Sequence, residues 1–474
     1  MASFESARRS SFTFTFTPSI REDFYNAQCP RLLLLTRLRS LSTTRCLAIV
    51  STFIVGLTFT VIMKREHLLW LAASTAGASP LLEFGQGGTF DYPGLRFGAD
   101  KKFSITVFSD LHFGEPSWVG AGKGPDADLK TIGVMNSVLD NEHSNLVVLN
   151  GDLTSCEFMA PENLTASIDQ ITAPLVERNM PFAATFGNHD MSKTCSTRIM
   201  SEHMWDNVKG KHGKKLSFTT SSVPGPYEQV GTSNYYIPVY ASAGGGNPQL
   251  SMMLWFFDSK GGRDFRKVDA NGKDVPVAGW VDDKVTSWFK LTSDAIRQQQ
   301  GRTVPSLAFV HIPVHSTRAY QDNGRDPAIA PGLNEELIGH QGDVCDGVNN
   351  CDYTGADTPF MRALVETEGL MAVFSGHDHG VDWCMKWSKD LRNNSPANGN
   401  GLNLCFNRHS GYGGYSDWAR GARQIVIEEA KLGASELQTW IRLEDGSISG
   451  QVTLNSTYGT DRYPAVTKSK STSL

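Results

Sequence analysis

Five short apolar runs in this chain each end in residues of the kind that bind metals. They read FSITVFSDLH (103–112), LVVLNGD (146–152), FAATFGNHD (182–190), SLAFVHIP (306–313) and LMAVFSGHDH (370–379). Each has the length and composition of a buried strand followed by a polar tip. Five such tips predict that Asp, Asn and His from distant parts of the chain meet at one edge of one sheet. That is how an α/β fold assembles a site for two metal ions.

The tips differ in what they offer. At the strand end of Asp110-x-His112, alternate residues point the same way, so a carboxylate and an imidazole can share a metal. Gly151-Asp152 allows a tight turn and then a carboxylate able to bridge two cations. In Gly187-Asn188-His189-Asp190, Asn188 offers a neutral oxygen, and His189, held by Asp190, suits a general acid. His311 follows a buried run, and His377 and His379 in Gly376-His377-Asp378-His379 can serve one metal or two. Singly, each has an ordinary reading: an Asp after a strand usually caps a helix, and a lone strand-end His is usually structural. Their joint occurrence in this order is what accident does not readily produce.

The 474 residues suffice for one large domain or two ordinary ones, and a net charge of −5 argues against a nucleic-acid surface. Residues 1–45, rich in Ser, Thr and Arg, are expected to be disordered. Cys46–Met63 is an 18-residue stretch without a charge, a candidate transmembrane or signal-anchor segment stopped by Lys64 and Arg65. Arg31, Arg37, Arg39 and Arg45 place the N-terminus in the cytosol, with Lys64 and Arg65 opposing. Two alternatives stand beside it: an arbitrary apolar run, or a true start at Met63 with a signal peptide ending near Ala78. Membrane span and signal peptide alike send the remainder into the secretory pathway, as a single-pass membrane protein or a secreted one. Six of the eight cysteines lie in the body, where Cys345 with Cys351 and Cys384 with Cys405 are placed to pair. Sequons at Asn163, Asn393 and Asn455 fit a glycoprotein.

A linker over 64–96 leads into one domain, 97–455, and a flexible polar tail follows over 456–474. Helical spacing covers 126–143, then Leu164, Ile168, Ile171 and Leu175, then 192–208 with Ser192 as candidate N-cap. Residues 281–299 follow, with Val281, Val285, Trp288 and Leu291 on one face. Alternating strands and helices imply parallel strands with crossovers. Residues 209–250 break the rhythm, and 315–356 and 385–420 read as loop-rich insertions. Strands at 424–429, 437–444 and 448–455 end the body.

The order D-x-H, G-D, G-N-H-[DE], H, G-H-x-H resembles the calcineurin-like metallophosphoesterases over about residues 100–385. SDLHFGE, SNYYIP (233–238), LWFFDS and the HIP step are similar to the purple-acid-phosphatase-like branch of fungi and plants. The resemblance implies an α/β fold of four layers, α/β/β/α, with a dinuclear site at the C-terminal strand ends. It implies one metal on Asp110, His112, Asp152 and His379, another on Asp152, Asn188, His311 and His377, and Asp152 as the bridge. It also implies hydrolysis of phosphomonoesters by a metal-bridging hydroxide, with His189 as general acid oriented by Asp190. Purple acid phosphatases carry Tyr where this chain has Ser155 and Gly where it has His112, so a coloured iron–tyrosinate centre is not expected. The metals are then Fe, Mn or Zn. The expected partner is a phosphate ester, small molecule or phosphoprotein. A phosphodiesterase for nucleotides or lipids, and a silent membrane-anchored binding protein, stay open. Of the remaining residues, His315 reads as a surface-loop histidine with a substrate contact as the alternative, Arg318 and His340 as looser candidates for phosphate contacts, and Asp378 as an orienter of its neighbours.

Overall fold

The structure, a computed structural model, describes residues 94–118, 124–242, 248–345, 351–389, 391, 395–466 and 470. The leader 1–45, the candidate span 46–63, the Met63 start and Asn393 lie outside these residues. Among the described residues no helix is long and apolar enough to cross a membrane.

The main strands are β1 (Lys102–Phe108), β2 (Leu146–Asn150), β3 (Phe182–Thr185), β4 (Tyr235–Tyr240), β5 (Leu250–Phe257) and β6 (Ser306–Val310). They continue as β7 (Leu370–Ser375), β8 (Cys384–Trp387), β9 (Leu402–Phe406), β10 (Gly421–Glu428), β11 (Leu437–Leu443) and β12 (Ile448–Leu454). They form two six-stranded sheets, ordered β12-β11-β10-β1-β2-β3 and β8-β9-β7-β6-β5-β4. β1, β2 and β3 run parallel in the first sheet, and β5, β6, β7 and β9 in the second. The five ligand-bearing strands are therefore split three and two, not gathered in one sheet. The physical reason lies in burial. A parallel strand such as β2, with all five residues buried, needs cover on both faces, and here one cover is the other sheet.

Phe103, Ile105 and Val107 of β1 share a core with Leu254, Phe256, Phe309 and Phe374 from the second sheet. On the outer face of the first sheet lie α1 (Gly124–Asn141), α2 (Leu164–Glu177) and α3 (Thr197–Asp206), packed through Val134, Ile168, Leu175 and Met200. On the outer face of the second lie α4 (Asp283–Gln300) and, after α5 (His315–Asp322), α6 (Thr358–Glu366). Phe289 of α4 stands edge-on to Trp255 and Phe257, and Phe360 of α6 to Phe257. The result is the α/β/β/α sandwich.

Several local expectations need correction. α3 starts at Thr197, not 192, because Ser192 and Cys195 exchange backbone hydrogen bonds in a turn and the Ser192 hydroxyl donates to the Cys156 carbonyl. α4 buries Val285, Phe289 and Ile296 but leaves Leu291 exposed. The segment expected as a loose tail is tied down as far as Tyr463: Tyr458 is buried in the inter-sheet core and its hydroxyl donates to the Cys384 carbonyl at 2.7 Å. Cys384 and Cys405 form a disulfide across the β8–β9 pair. Cys351 is also disulfide-bonded, and Cys345 is its cross-strand neighbour.

The loop after β9 is anchored by buried arginines. Arg408 Nη1 meets Asp382 Oδ2 at 2.6 Å with both side chains 1% exposed, and Arg423 Nε donates to the Phe406 carbonyl at 2.7 Å. Breaking such a pair from one side strands a buried charge. Asp382→Ala is expected to cost about 3–5 kcal/mol in chemical denaturation, far more than an exposed-pair variant such as Glu202→Ala.

Candidate metal centre

All five tips come together at the seam where the C-terminal ends of the two sheets meet. Asn150, the last residue of β2, is the stitch. Its side-chain amide donates to the carbonyls of Val310 (3.4 Å) and Phe374 (3.2 Å), near the ends of β6 and β7. Its own carbonyl accepts from His311 Nδ1 at 2.9 Å and from Ser109 Oγ at 3.2 Å.

The backbone at the tips is unusual. Asp110 (φ 57°), His112 (50°), Asp152 (49°) and His377 (78°) are all left-handed, a region that L-residues other than glycine rarely adopt. Hydrogen bonds between loops hold them there: Asp110 N donates to the Gly151 carbonyl at 3.0 Å, and His112 N to that of Asp152 at 3.0 Å. His377 N donates to Asp110 Oδ1 at 3.0 Å. The glycines allow close approach. A Cβ at Gly187 would collide with Asp152 Oδ1, and one at Gly376 with Ser109 Oγ and Asp110 Oδ2. Such strain is characteristic of functional sites.

Two groups result, each with its ligand-type atoms within 4.8 Å of one another: Asp110, His112 and His379, and Asp152, His311 and His377. Asp152 Oδ2 joins them, 2.9 Å from His311 Nε2 and 3.9 Å from His112 Nε2. The imidazoles are pinned from behind. His311 Nδ1 bonds the Asn150 carbonyl, and His112 Nδ1 lies 2.7 Å from Ser155 Oγ, which donates to Glu115 Oε2 at 2.5 Å. His379 Nδ1 lies 3.4 Å from the Tyr415 carbonyl. In the neutral rings that ligation requires, this leaves each Nε2 as the lone pair facing the centre. His112 Nε2 and His379 Nε2 stand 3.1 Å apart, close enough to share one cation. Asn188 Oδ1 is buried and accepts no hydrogen bond, as suits an oxygen reserved for a cation. The donor set therefore fits two metals.

Burial opposes the charged form of His311, but Asp152 and then Asp110 outweigh it and lift its pKa to about 10, so ligation there displaces a proton. Burial first, then the charge of neighbouring His311, keeps His377 neutral, with its pKa near 3. Burial likewise holds His379 well below its usual value. Burial opposes ionisation of Asp152, yet His311 and His189 hold its carboxyl well below the usual range.

His189 stands apart from these two groups. Its side chain is 39% exposed, and its ring centroid is 5.1 Å from that of His112. Its backbone N–H donates to Asp152 Oδ1 at 2.8 Å. Burial works against its charged form, but Asp152 and then Glu157 outweigh it and lift its pKa to about 9. Its Nδ1 partner is Glu157, 3.2 Å away, not Asp190 as expected. Asp190 instead ties two loops together, accepting from Thr154 N (2.8 Å) and Gly187 N (2.9 Å). Asp378 is likewise turned away from its neighbours in the chain. Its Oδ1 accepts from Gly339 N at 2.8 Å, holding the 315–356 insertion against the site. His315 is buried, not on a surface loop, and stacks on Tyr353 at 3.8 Å.

The family profile described as Calcineurin-like phosphoesterase matches residues 103–381. The chain belongs to that family. This calcineurin-like phosphoesterase is similar to "Probable inactive purple acid phosphatase 14" of Arabidopsis thaliana, 27% identical over 411 residues, covering 81% of this chain and 89% of that one. It is similar to "Phosphatase DCR2" of Saccharomyces cerevisiae, 27% identical over 351 residues, covering 72% of this chain and 54% of that one. A solved dimetal phosphatase from Danio rerio overlaps it with a TM-score of 0.41 at 12% identity, covering 74% of this chain and 98% of that one.

Sequence reasoning missed Glu115, Glu157, His409 and Tyr415. Glu115 sits inside SDLHFGE, but nothing in its spacing shows it bracing His112 through Ser155. If Asn150 joins the sheets at the site, Asn150→Ala takes the side-chain donor away from two strand-end carbonyls while keeping the backbone carbonyl that holds His311. The expected cost is about 1–3 kcal/mol in denaturant unfolding, with weaker metal retention on dialysis.

Proposed function

We propose that this chain hydrolyses phosphate monoesters with two metal ions, one held by Asp110, His112, Asp152 and His379, the other by Asp152, Asn188, His311 and His377. What carries the reading is the pair of buried clusters, with pinned imidazoles facing inward around Asp152, beside a half-exposed His189 that no cluster uses. Mixed carboxylate, amide and imidazole donors suit Fe, Mn or Zn. When bound, two such ions supply Lewis acidity toward the phosphoryl oxygens and a more acidic water.

The chain's own residues do the rest. Glu157 holds Nδ1 of His189, which leaves Nε2 as the nitrogen to meet a substrate beside the clusters. The Glu157 carboxylate at Nδ1 favours the protonated ring, which can give a proton to the leaving oxygen of an ester. The buried carboxylates of Asp110 and Asp152 offset only part of the charge of two cations, so a phosphate dianion is attracted. The disulfide Cys384–Cys405 and the bonded Cys351 favour an oxidising compartment, in keeping with passage through the secretory pathway.

A second reading is a protein of this fold that binds metals without turnover. The word "inactive" in the name of the Arabidopsis relative favours it, while the presence of every ligand position and of His189 in this chain favours the enzyme. Assays of the full chain separate the two. Release of phosphate from p-nitrophenyl phosphate should be abolished by a chelator and by Asp152→Ala; activity that survived both would sink the mechanism. Faster turnover of bis-p-nitrophenyl phosphate would turn the assignment to a diesterase. His189→Ala should keep its metals and lower kcat about 10²–10⁴-fold on an alkyl phosphate, whose poor leaving group needs a proton. The loss should be much smaller with p-nitrophenyl phosphate.

A further inference from the structure

The three imidazoles pinned through Nδ1 are not held alike. His112 and His311 have short anchors, 2.7 Å to Ser155 Oγ and 2.9 Å to the Asn150 carbonyl. His379 has only a 3.4 Å contact to the Tyr415 carbonyl, the long end of what counts as a hydrogen bond. What it has instead is rings. The His409 centroid lies 3.7 Å from that of His379 with the planes 32° apart, and the Tyr415 centroid lies 4.1 Å away at 7°. One face of an imidazole has room for one stacked ring, so the two flank His379 on opposite faces.

His409 has little else to do. It is fully buried, its Nε2 meets no hydrogen-bond partner, and its Nδ1 reaches only Ser416 Oγ at 3.4 Å. Its place is nonetheless firmly set. Arg408 is locked to Asp382, Ser410 N donates to the Ser109 carbonyl at 2.9 Å, and Gly411 N to the Asp110 carbonyl at 3.0 Å. Tyr415 is set from its far end, where its hydroxyl donates to Glu336 Oε2 at 3.0 Å. Both rings lie beyond residue 381, where the family match ends.

We propose that His409 and Tyr415 are positioning residues for His379. Their ring faces, in place of a short hydrogen bond, set the plane of its imidazole and hold its Nε2 on a cation shared with Asp110 and His112. The proposal rests on the reading of the two clusters as metal sites. Residues that fix a ligand's orientation typically change metal affinity about 10–100-fold when removed.

The test is zinc binding by the full chain, stripped of metal and titrated in competition with a fluorescent chelator, with circular dichroism as the check on folding. The wild type should take up two zinc ions. His409→Ala and Tyr415→Leu should each weaken one of the two by about 10–100-fold and leave the other unchanged. His409→Phe, which keeps a flat ring but no nitrogen, should restore most of the loss. Tyr415→Phe, which keeps the ring and loses the bond to Glu336, should bind like the wild type. Should His409→Ala fail to fold, the contrast of Tyr415→Leu with Tyr415→Phe at the half-buried position carries the same question. Three results overturn the proposal: wild-type affinities in both ring-deleting variants, equal weakening of both ions, or His409→Phe binding as poorly as His409→Ala. A wild type that takes up no zinc overturns the reading of the clusters, and this proposal with it.

Discussion

The rest of the site depends on one buried amide. Asn150 ends β2 in one sheet and donates to carbonyls near the ends of β6 and β7 in the other. Two sheets packed only through apolar faces slide easily against each other, since burial is non-directional. Hydrogen bonds are not so tolerant, and a buried amide fixes the offset at which its partners can be met. The same residue's carbonyl then sets the ring of His311. The offset of the sheets and the orientation of a candidate ligand are thus fixed within one residue.

Around that stitch the fold stores strain. Left-handed backbone costs an ordinary residue about 1–3 kcal/mol and persists only where its surroundings over-determine it. Four such residues, Asp110, His112, Asp152 and His377, lie within one site, and backbone hydrogen bonds between neighbouring loops hold them. His112 Nε2 and His379 Nε2 face each other at 3.1 Å across the same centre. The bracing is layered accordingly: Ser155 and Glu115 behind His112, Asp190 between two loops, and the segment from Arg408 to Tyr415 laced to the Asp110 loop.

The strands and their tips were legible because parallel strands covered on both faces read as near-continuous apolar runs. α1 and α2 were legible too, since their buried residues recur at helical spacing. The errors have a common cause. Asp190 sits beside His189 in the chain, yet its carboxylate turns to Thr154 and Gly187 while Glu157, thirty-two positions away, reaches the ring. His315 looked exposed because it follows a strand end, but Tyr353 from a distant hairpin covers it. Tyr458 looked like part of a loose tail because its neighbours are polar, and its own ring fills a gap in the core. Adjacency in sequence is no guide to side-chain direction once the backbone leaves regular structure.

By itself the sequence determined which residue types stand at which strand ends, because burial demands apolar runs, and Asp, Asn and His just beyond them mark where the buried strands stop. It could not determine how the five tips are shared. Only the tertiary structure decided that three come from one sheet and two from the other, that Asn150 joins them, and that His409 and Tyr415 enclose His379. The reason is that period and composition report one strand's environment at a time. The meeting of two sheets, and of a loop beyond residue 400 with one near residue 110, is set by long-range packing that leaves no local signature.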